Sequence, residues 1–357
     1  MMANAALGDA GAPAAQTEVA VRTVLVVDDE PNVRALLRAW LESVGYTVSL
    51  AASADEALRS LHTAPTAVMV CDLRMPGHDG LWLTDQVRKG FPETAVIIAT
   101  GVNDVAAAVE GMRQGVVDYL PKPFDRNRLT DAVARGLEWH RAALDARRWR
   151  DLLEGEMRER QAALALVIDA WPVDSDASLD GLLSALMVDN PDAYAHAYRV
   201  AALSATLARA LDLTPAEVEI VEHGALLHDV GKLAMPEAVL RKPAPLTAEE
   251  QRLIRTHPAV GSALVEKIPY LAGSASVVRD AQERVDGLGY PNGSRGDVVW
   301  MGARIVAVAD SYDTMTRARV FRDAITAEAA LAELTRCSGT QFDPRVVRAF
   351  VGLIDAA

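Results

Sequence analysis

Cysteine is nearly absent, with two residues in 357, Cys71 and Cys337. Both fall in apolar-patterned segments, so a disulfide framework is excluded and a reducing cytoplasm is the expected location. Long hydrophobic runs are missing as well. Hydrophobic residues make up 50 % of the chain, yet no apolar run approaches the ~20 residues that a bilayer span needs, so no membrane insertion is expected. Positive charge is in deficit, at a formal net charge of -13. That argues against non-specific binding to nucleic acid, where phosphates must be neutralised by the opposite sign. An anionic substrate would need help from metals or a few placed arginines. The start of the chain lacks both the basic residues and the apolar segment of a signal peptide. It is rich in Ala and Gly, and a disordered tail is expected over residues 1–22. No repeat at solenoid spacing occurs. The length suggests two or three domains.

What is present begins with a short β-branched run at residues 24–27 and apolar runs at 67–70, 95–98 and 117–120, separated by segments of helical period such as Val33, Leu36, Leu37 and Trp40. Continuous apolar strands alternating with helices predict a parallel sheet covered on both faces. In such sheets the chemistry sits at the carboxyl ends of the strands. Those ends carry Asp28 and Asp29, then Asp72, Thr100 and Lys122. Clustered carboxylates repel unless a hard cation neutralises them, and Mg2+ accepts one or two while keeping waters for a phosphate. One acid can then be a nucleophile toward a phosphoryl donor, with hydroxyl and lysine holding the transferred oxygens.

The pieces Leu25-Val-Val-Asp-Asp-Glu30, Cys71-Asp-Leu-Arg-Met-Pro-Gly77, Ala99-Thr-Gly101 and Tyr119-Leu-Pro-Lys-Pro-Phe124 resemble a two-component receiver domain, a doubly wound, flavodoxin-like α/β fold. The resemblance implies Asp72 as the phospho-acceptor and a sensor histidine kinase as partner. It also implies Mg2+ held by Asp29, Asp72 and the Arg74 carbonyl, with Asp28 supporting its water shell. Thr100 and Lys122 would contact the phosphoryl group, and Tyr119 would be the aromatic switch residue. Expected boundaries are residues 23–140 for this domain.

From Arg126 to about residue 170 breakers are few and Ala, Leu, Arg and Glu abound, so a long helix leaves the receiver, with a linker expected over 141–173. Leu129, Val133, Leu137, Leu144, Leu152 and Leu164 fall at mixed helical spacings, interrupted by Gly136 and Gly155. A homodimer seam and a solvated spacer both suit that pattern. No basic recognition helix follows, so DNA is not expected as a partner.

The remainder, residues 174–357, shows helical period almost throughout, at 201–213, 216–227, 248–254 and 325–334, and is expected to be all-helical. Gly224-Ala-Leu-Leu-His-Asp-Val-Gly-Lys232 reads as a helix that presents His228 and Asp229 and stops at Gly231. Helical neighbours point about 100° apart, so a shared ion would need further ligands. Candidates are His196 on a helix, His257 before Pro258, and Asp310 after the run at 305–309. Together they offer the mixed nitrogen and oxygen shell that suits Fe, Mn, Zn or Ni. An ion with open positions acidifies water and polarises a phosphoryl oxygen.

Beyond these ligands, Leu240-Arg-Lys-Pro243, His257-Pro-Ala-Val-Gly261, Glu283-Arg-Val-Asp-Gly-Leu-Gly-Tyr-Pro291, Arg304-Ile-Val-Ala-Val-Ala-Asp310 and Gly339-Thr-Gln-Phe-Asp-Pro344 resemble the HD-GYP branch of the HD phosphohydrolases. That family hydrolyses cyclic di-GMP at a cluster of metals. The resemblance implies a shell of His196, His228, Asp229 and Asp310 for one ion, with Asp229 bridging to a second held by His257. Lys232 and Asp229 would serve the chemistry, and Asp192 stands where the family has a glutamate. Gly289, Tyr290 and Pro291 would shape the dinucleotide site, and Arg319 and Arg322 would meet phosphates or guanine. One departure is plain. Where the family has paired histidines, this chain has Ala281 and Gln282, so the second ion is expected to be weak or absent. Two functions follow. One is hydrolysis of cyclic di-GMP or a related phosphoester under control of Asp72 phosphorylation. The other is an inactive domain that senses a cyclic dinucleotide or binds a protein.

Overall fold

The computed structural model describes residues 22–101, 115–169, 179, 181, 183–184, 191–317 and 323–356. The expected tail therefore lies outside the described residues except for Arg22. The chain divides into two compact units, Met1–Trp149 and Arg150–Ala357.

In the first unit five parallel strands run in the order β2-β1-β3-β4-β5, the flavodoxin-like order. They are β1 Thr23–Val27, β2 Thr47–Ala51, β3 Val68–Asp72, β4 Ala95–Gly101 and β5 Asp118–Lys122. Helices α1 Pro31–Glu42, α2 Ala54–Thr63 and α3 Gly80–Gly90 connect the first four. The period of two sorts the strand side chains. Val24, Val26, Val68, Val70, Ile97 and Leu120 pack with Leu37, Leu41, Leu129 and Val133 on one face. Leu25, Val27, Met69, Cys71, Val96 and Ile98 pack with Ala57, Leu61, Leu83 and Val87 on the other. Burial on both faces is why β1, β3 and β4 read as unbroken apolar runs. The strand β2 was not among the predicted runs. It lies at the sheet edge, and its alternating exposure gives a short TVSLA pattern in place of a run.

Helix α4, Arg126–Asp169, spans 44 residues without interruption, passing through both glycines that seemed to break its pattern. A Cβ at Gly136 would lie 3.1 Å from Val68, so this glycine brings the helix close to β3 and does not end it. At Gly155 nothing stands within 4 Å. No helix among the described residues is long and apolar enough to cross a membrane.

The second unit is helical: α5 Pro191–Ala210, α6 Pro215–Leu227, α7 Glu237–Leu240, α8 Ala248–Ile254, α9 His257–Glu266, α10 Ala275–Asp280, α11 Met301–Thr316, α12 Ala327–Arg336 and α13 Pro344–Asp355. The starts of α6 and α8 are capping boxes, Thr214 with Glu217 and Thr247 with Glu250, which satisfy backbone donors reciprocally. The core joins Val200 and Leu207 of α5, Val221 and Leu227 of α6, Val265 of α9, Val277 and Val278 of α10, and Ile305 and Val308 of α11. Helix α6 ends at Leu227 with His228 as its cap, and a 3-10 turn, Val230–Ala234, carries the chain onward. Gly231 is thus not the helix stop expected from the sequence. A Cβ there would lie 1.9 Å from the carbonyl oxygen of His257. Only a glycine lets this turn press against the start of α9, and that contact brings Asp229 beside His257.

Candidate functional site

At the strand ends of the first unit, Lys122 Nζ lies 2.6 Å from Asp72 Oδ1 and 3.1 Å from Asp28 Oδ2. Asp28 is buried, its Oδ1 accepts from the Glu30 amide at 2.9 Å, and its carbonyl accepts from Arg34 at 2.6 Å. Register supplies the neighbours, since Asp72 is level with Ala99 and Thr100 with Pro121. Thr100 is buried, and its hydroxyl donates to the Gly101 carbonyl. Asp29 is half-buried and Arg74 exposed. The Tyr119 hydroxyl is buried with no hydrogen-bond partner among the described residues, and burial raises its pKa. One lysine bridges two of these acids. Burial, with repulsion from Asp28 and Asp29, holds the Asp72 carboxyl above its usual range despite Lys122. For Lys122, burial opposes the charge, but its bonds to Asp72 and Asp28 outweigh that and raise its pKa.

In the second unit, donor atoms of His196 on α5, His228 at the end of α6 and Asp310 within α11 all lie within 4.8 Å of one another. Among the described residues this is the one set of three His, Cys, Asp or Glu donors that meets so closely. His196 Nε2 is 3.1 Å from Asp310 Oδ1. Three imidazoles are oriented through Nδ1: His196 by Asp313 Oδ2, His228 by the Ala225 carbonyl and His257 by the Ile254 carbonyl, each at 2.7 Å. Tying Nδ1 in this way leaves Nε2 for an ion. His257 Nε2 is buried, has no hydrogen-bond partner among the described residues, and stands 3.4 Å from Asp229 Oδ1. A buried, orphaned lone pair beside a carboxylate fits a divalent cation, as does the donor set itself.

Asp229 sits next to this set, with Oδ2 3.7 Å from His228 Nε2 and 2.6 Å from Lys232 Nζ. Burial pushes its carboxyl up, but Lys232, His228 and His257 hold it well below the usual range. Asp310 is lowered likewise, the hydrogen bond with His196 outweighing burial. For His196, burial pulls the pKa down while Asp310 and Asp313 set it at about 9.

Gly289 folds tightly over the end of α10, where a Cβ would lie 2.5 Å from Glu283 Cα. Glu283 is buried and accepts from the amides of Asn292 at 2.7 Å and Ser294 at 3.2 Å, which pins the loop. Tyr290, before a cis bond to Pro291, donates its hydroxyl to Gln282 Oε1 at 3.3 Å. Its ring meets His257 edge-on at 6.3 Å and lies under Arg255 at 5.4 Å. The amide oxygen of Gln282 is thus engaged by tyrosine, and Ala281 is buried. Arg319 and Arg322 lie outside the described residues. Sequence reasoning missed Asp313 and Arg199, although each stands three residues beyond a named ligand on the same helix, a spacing that shares a face.

Residues 24–134 match the profile of the response regulator receiver domain and residues 181–346 that of the HD domain. Over 343 residues the chain is 30 % identical to the cyclic di-GMP phosphodiesterase response regulator RpfG of Xanthomonas campestris pv. campestris, across 92 % of this chain and 86 % of that protein. The chain belongs to the response regulators that join a receiver to an HD-type output domain. A probable cyclic di-GMP phosphodiesterase of Vibrio cholerae is also 30 % identical, over 92 % of this chain and 77 % of that protein. Over 168 residues the chain is also 32 % identical to a 3'3'-cGAMP-specific phosphodiesterase 2 of Vibrio cholerae, across 46 % of this chain and 32 % of that one. This response regulator therefore places its acidic strand edge in the receiver match and the close set of His196, His228 and Asp310 in the HD match.

Proposed function

We propose that this response regulator is a phosphorylation-controlled, metal-dependent phosphodiesterase that hydrolyses cyclic di-GMP. The observation that carries the reading is the meeting of His196, His228 and Asp310 within 4.8 Å in a chain of receiver and HD matches. In the receiver, Asp72 accepts a phosphoryl group from a sensor histidine kinase, Thr100 and Lys122 contact it, and Tyr119 is the switch residue. Mg2+ would be held by Asp29, Asp72 and the Arg74 carbonyl with Asp28 behind. The excess of acid over cation, visible in the raised Asp72 carboxyl, supports a cation there.

In the output domain His196, His228, Asp229 and Asp310 would hold one transition metal, of the Fe, Mn, Zn or Ni kind. When bound, that ion supplies Lewis-acid polarisation of the phosphoester and activation of water. A second ion would have only Asp229 and His257, since Gln282 is engaged by Tyr290 and Ala281 has no donor, so it is weak. Lys232, with 38 % of its side chain exposed beside Asp229, and Arg255 over Tyr290 bring positive charge to the phosphates. Gly289, Tyr290 and Pro291 shape the dinucleotide site, with Arg319 and Arg322 as further anion contacts. Water adds across one phosphodiester bond and opens the ring to a linear dinucleotide. Leu152, Leu166 and Val167 are exposed on α4, which supports a homodimer seam along it.

The test is product formation by the full chain reconstituted with Mn(II) or Fe(II), with cyclic di-GMP and 3'3'-cGAMP as parallel substrates. Linear product from cyclic di-GMP is expected, and its loss together with the bound ion in His228→Ala. A chain that holds about one ion and forms no product from either substrate would sink this reading in favour of binding without turnover.

A further inference from the structure

We infer that Asp313, clamped by Arg199, is a positioning residue that fixes His196 for the metal site of the output domain. The inference rests on the metal-site reading above and extends it to two residues that bear no ligand atom. His228 and His257 are oriented locally. His228 caps α6 and reaches the Ala225 carbonyl, while His257 follows α8 and reaches the carbonyl of its last residue, Ile254. Carbonyls in the last turn of a helix lack an intrahelical partner, so these two imidazoles use acceptors that would otherwise be orphaned. His196 lies inside α5, Pro191–Ala210, where the carbonyls are already taken by the helix. Its Nδ1 needs an acceptor from another element, and Asp313 of α11 supplies it at 2.7 Å.

The geometry is that of two interlocked pairs. His196 and Arg199 are three apart on α5, and Asp310 and Asp313 are three apart on α11, so each pair shares a helix face. The imidazole is held between the two carboxylates, with Asp310 at Nε2 and Asp313 at Nδ1. Asp313 is 4 % exposed. Its Oδ1 accepts from Arg199 Nε at 2.6 Å, and its Oδ2 accepts from Arg199 Nη2 at 2.9 Å as well as from His196. The planar guanidinium fork matches the carboxylate at two points, so both oxygens are committed and the group cannot swing to the ion itself. Arg199 also neutralises a charge that would be costly to bury alone. A charged acceptor on Nδ1 makes His196 a more basic ligand than the two imidazoles that lean on carbonyls.

The test uses the full chain with Co(II) alone as probe, reading affinity by chelator competition and the ligand-field absorption of the bound ion. Asp313→Ala is expected to weaken Co(II) by about 10- to 100-fold and to shift its spectrum. Asp313→Asn keeps a neutral acceptor for Nδ1 and is expected to lose less. Arg199→Ala removes the same ion pair but leaves the carboxylate on His196, so its loss is expected to be smaller than that of Asp313→Ala. Undiminished affinity with an unchanged spectrum in Asp313→Ala would overturn the inference alone. Equal losses in Asp313→Ala and Arg199→Ala would reduce the pair to scaffolding and also overturn it. Should Asp313→Ala fail to fold, Asp313→Asn decides by the same spectrum and affinity. A wild-type chain that binds no Co(II) overturns the metal-site reading and this one with it.

Discussion

Carboxylates in the two units are pushed in opposite directions. Asp72, at the receiver edge, is held above the usual range by burial and by Asp28 and Asp29, with one lysine among three acids. Asp313 in the output domain is driven well below it, because hydrogen bonds from His196 and Arg199 overcome burial, and Asp229 and Asp310 follow the same direction. Burial alone raises an acid's pKa, and a nearby cation or donor lowers it. The receiver edge therefore carries an excess of negative charge that a divalent cation can answer. The helical site has its acids matched by imidazoles, lysine and arginine, which hold these side chains in place.

That contrast can be broken most severely at Gly231. Gly231→Ala puts a Cβ against the His257 carbonyl, so the turn must leave α9 and Asp229 must part from His257. A loss of about 3 kcal/mol in the output domain is expected, read as faster hydrogen exchange in residues 215–266 of the full chain, with weaker metal binding. Wild-type exchange there would mean that the close approach does not hold the site together. A smaller change sharpens the other side of the comparison. Lys122→Met leaves Asp28 and Asp72 without their shared cation and is expected to cost the receiver about 1–2 kcal/mol, most of it recovered in millimolar Mg2+. Indifference to Mg2+ would count against a cation among these acids.

The smallest effect has the opposite sign. Asp72→Asn is expected to stabilise the receiver at neutral pH by about 0.5–1 kcal/mol. Because the folded pKa of Asp72 is raised, its contribution is present below the ordinary carboxylate value of about 3.9 and is lost as pH rises through the folded value. Asp313 behaves in reverse: its contribution is present above the ordinary value and is lost as pH falls through the depressed one. Exchange protection of β1 and β3 in Asp72→Asn should thus gain over wild type as pH rises from 4 to 7. A constant difference across that range would show that Asp72 does not carry the strain.

Much of the receiver was legible because a parallel sheet converts sequence directly into place. An apolar run ends, a residue one or two positions on stands at the carboxyl edge, and four such ends carry Asp28, Asp72, Thr100 and Lys122. Strand β2 escaped notice because an edge strand is half exposed and does not read as a run. In the second unit the helices and the donor residues were legible from period and residue type. The end of α6 was not, since Gly231 looks like a helix stop when its work is a close approach. Gln282, at one of the family's paired-histidine positions, faces Tyr290, which residue type alone does not tell. Asp313 and Arg199 carried an i,i+3 signal beside His196 and Asp310, but nothing in the chain tells such a pair from a solvated helix face.

The sequence by itself determined the two architectures, the acidic strand edge and the inventory of imidazoles and carboxylates, because period and residue chemistry are local properties. Tertiary structure alone decided which donors meet. His196, His228 and Asp310 come from three different helices, and their meeting depends on packing of α5, α6 and α11. The pairing of Asp229 with His257 depends on a missing side chain at Gly231. Such contacts arise from long-range shape, which no window of sequence contains.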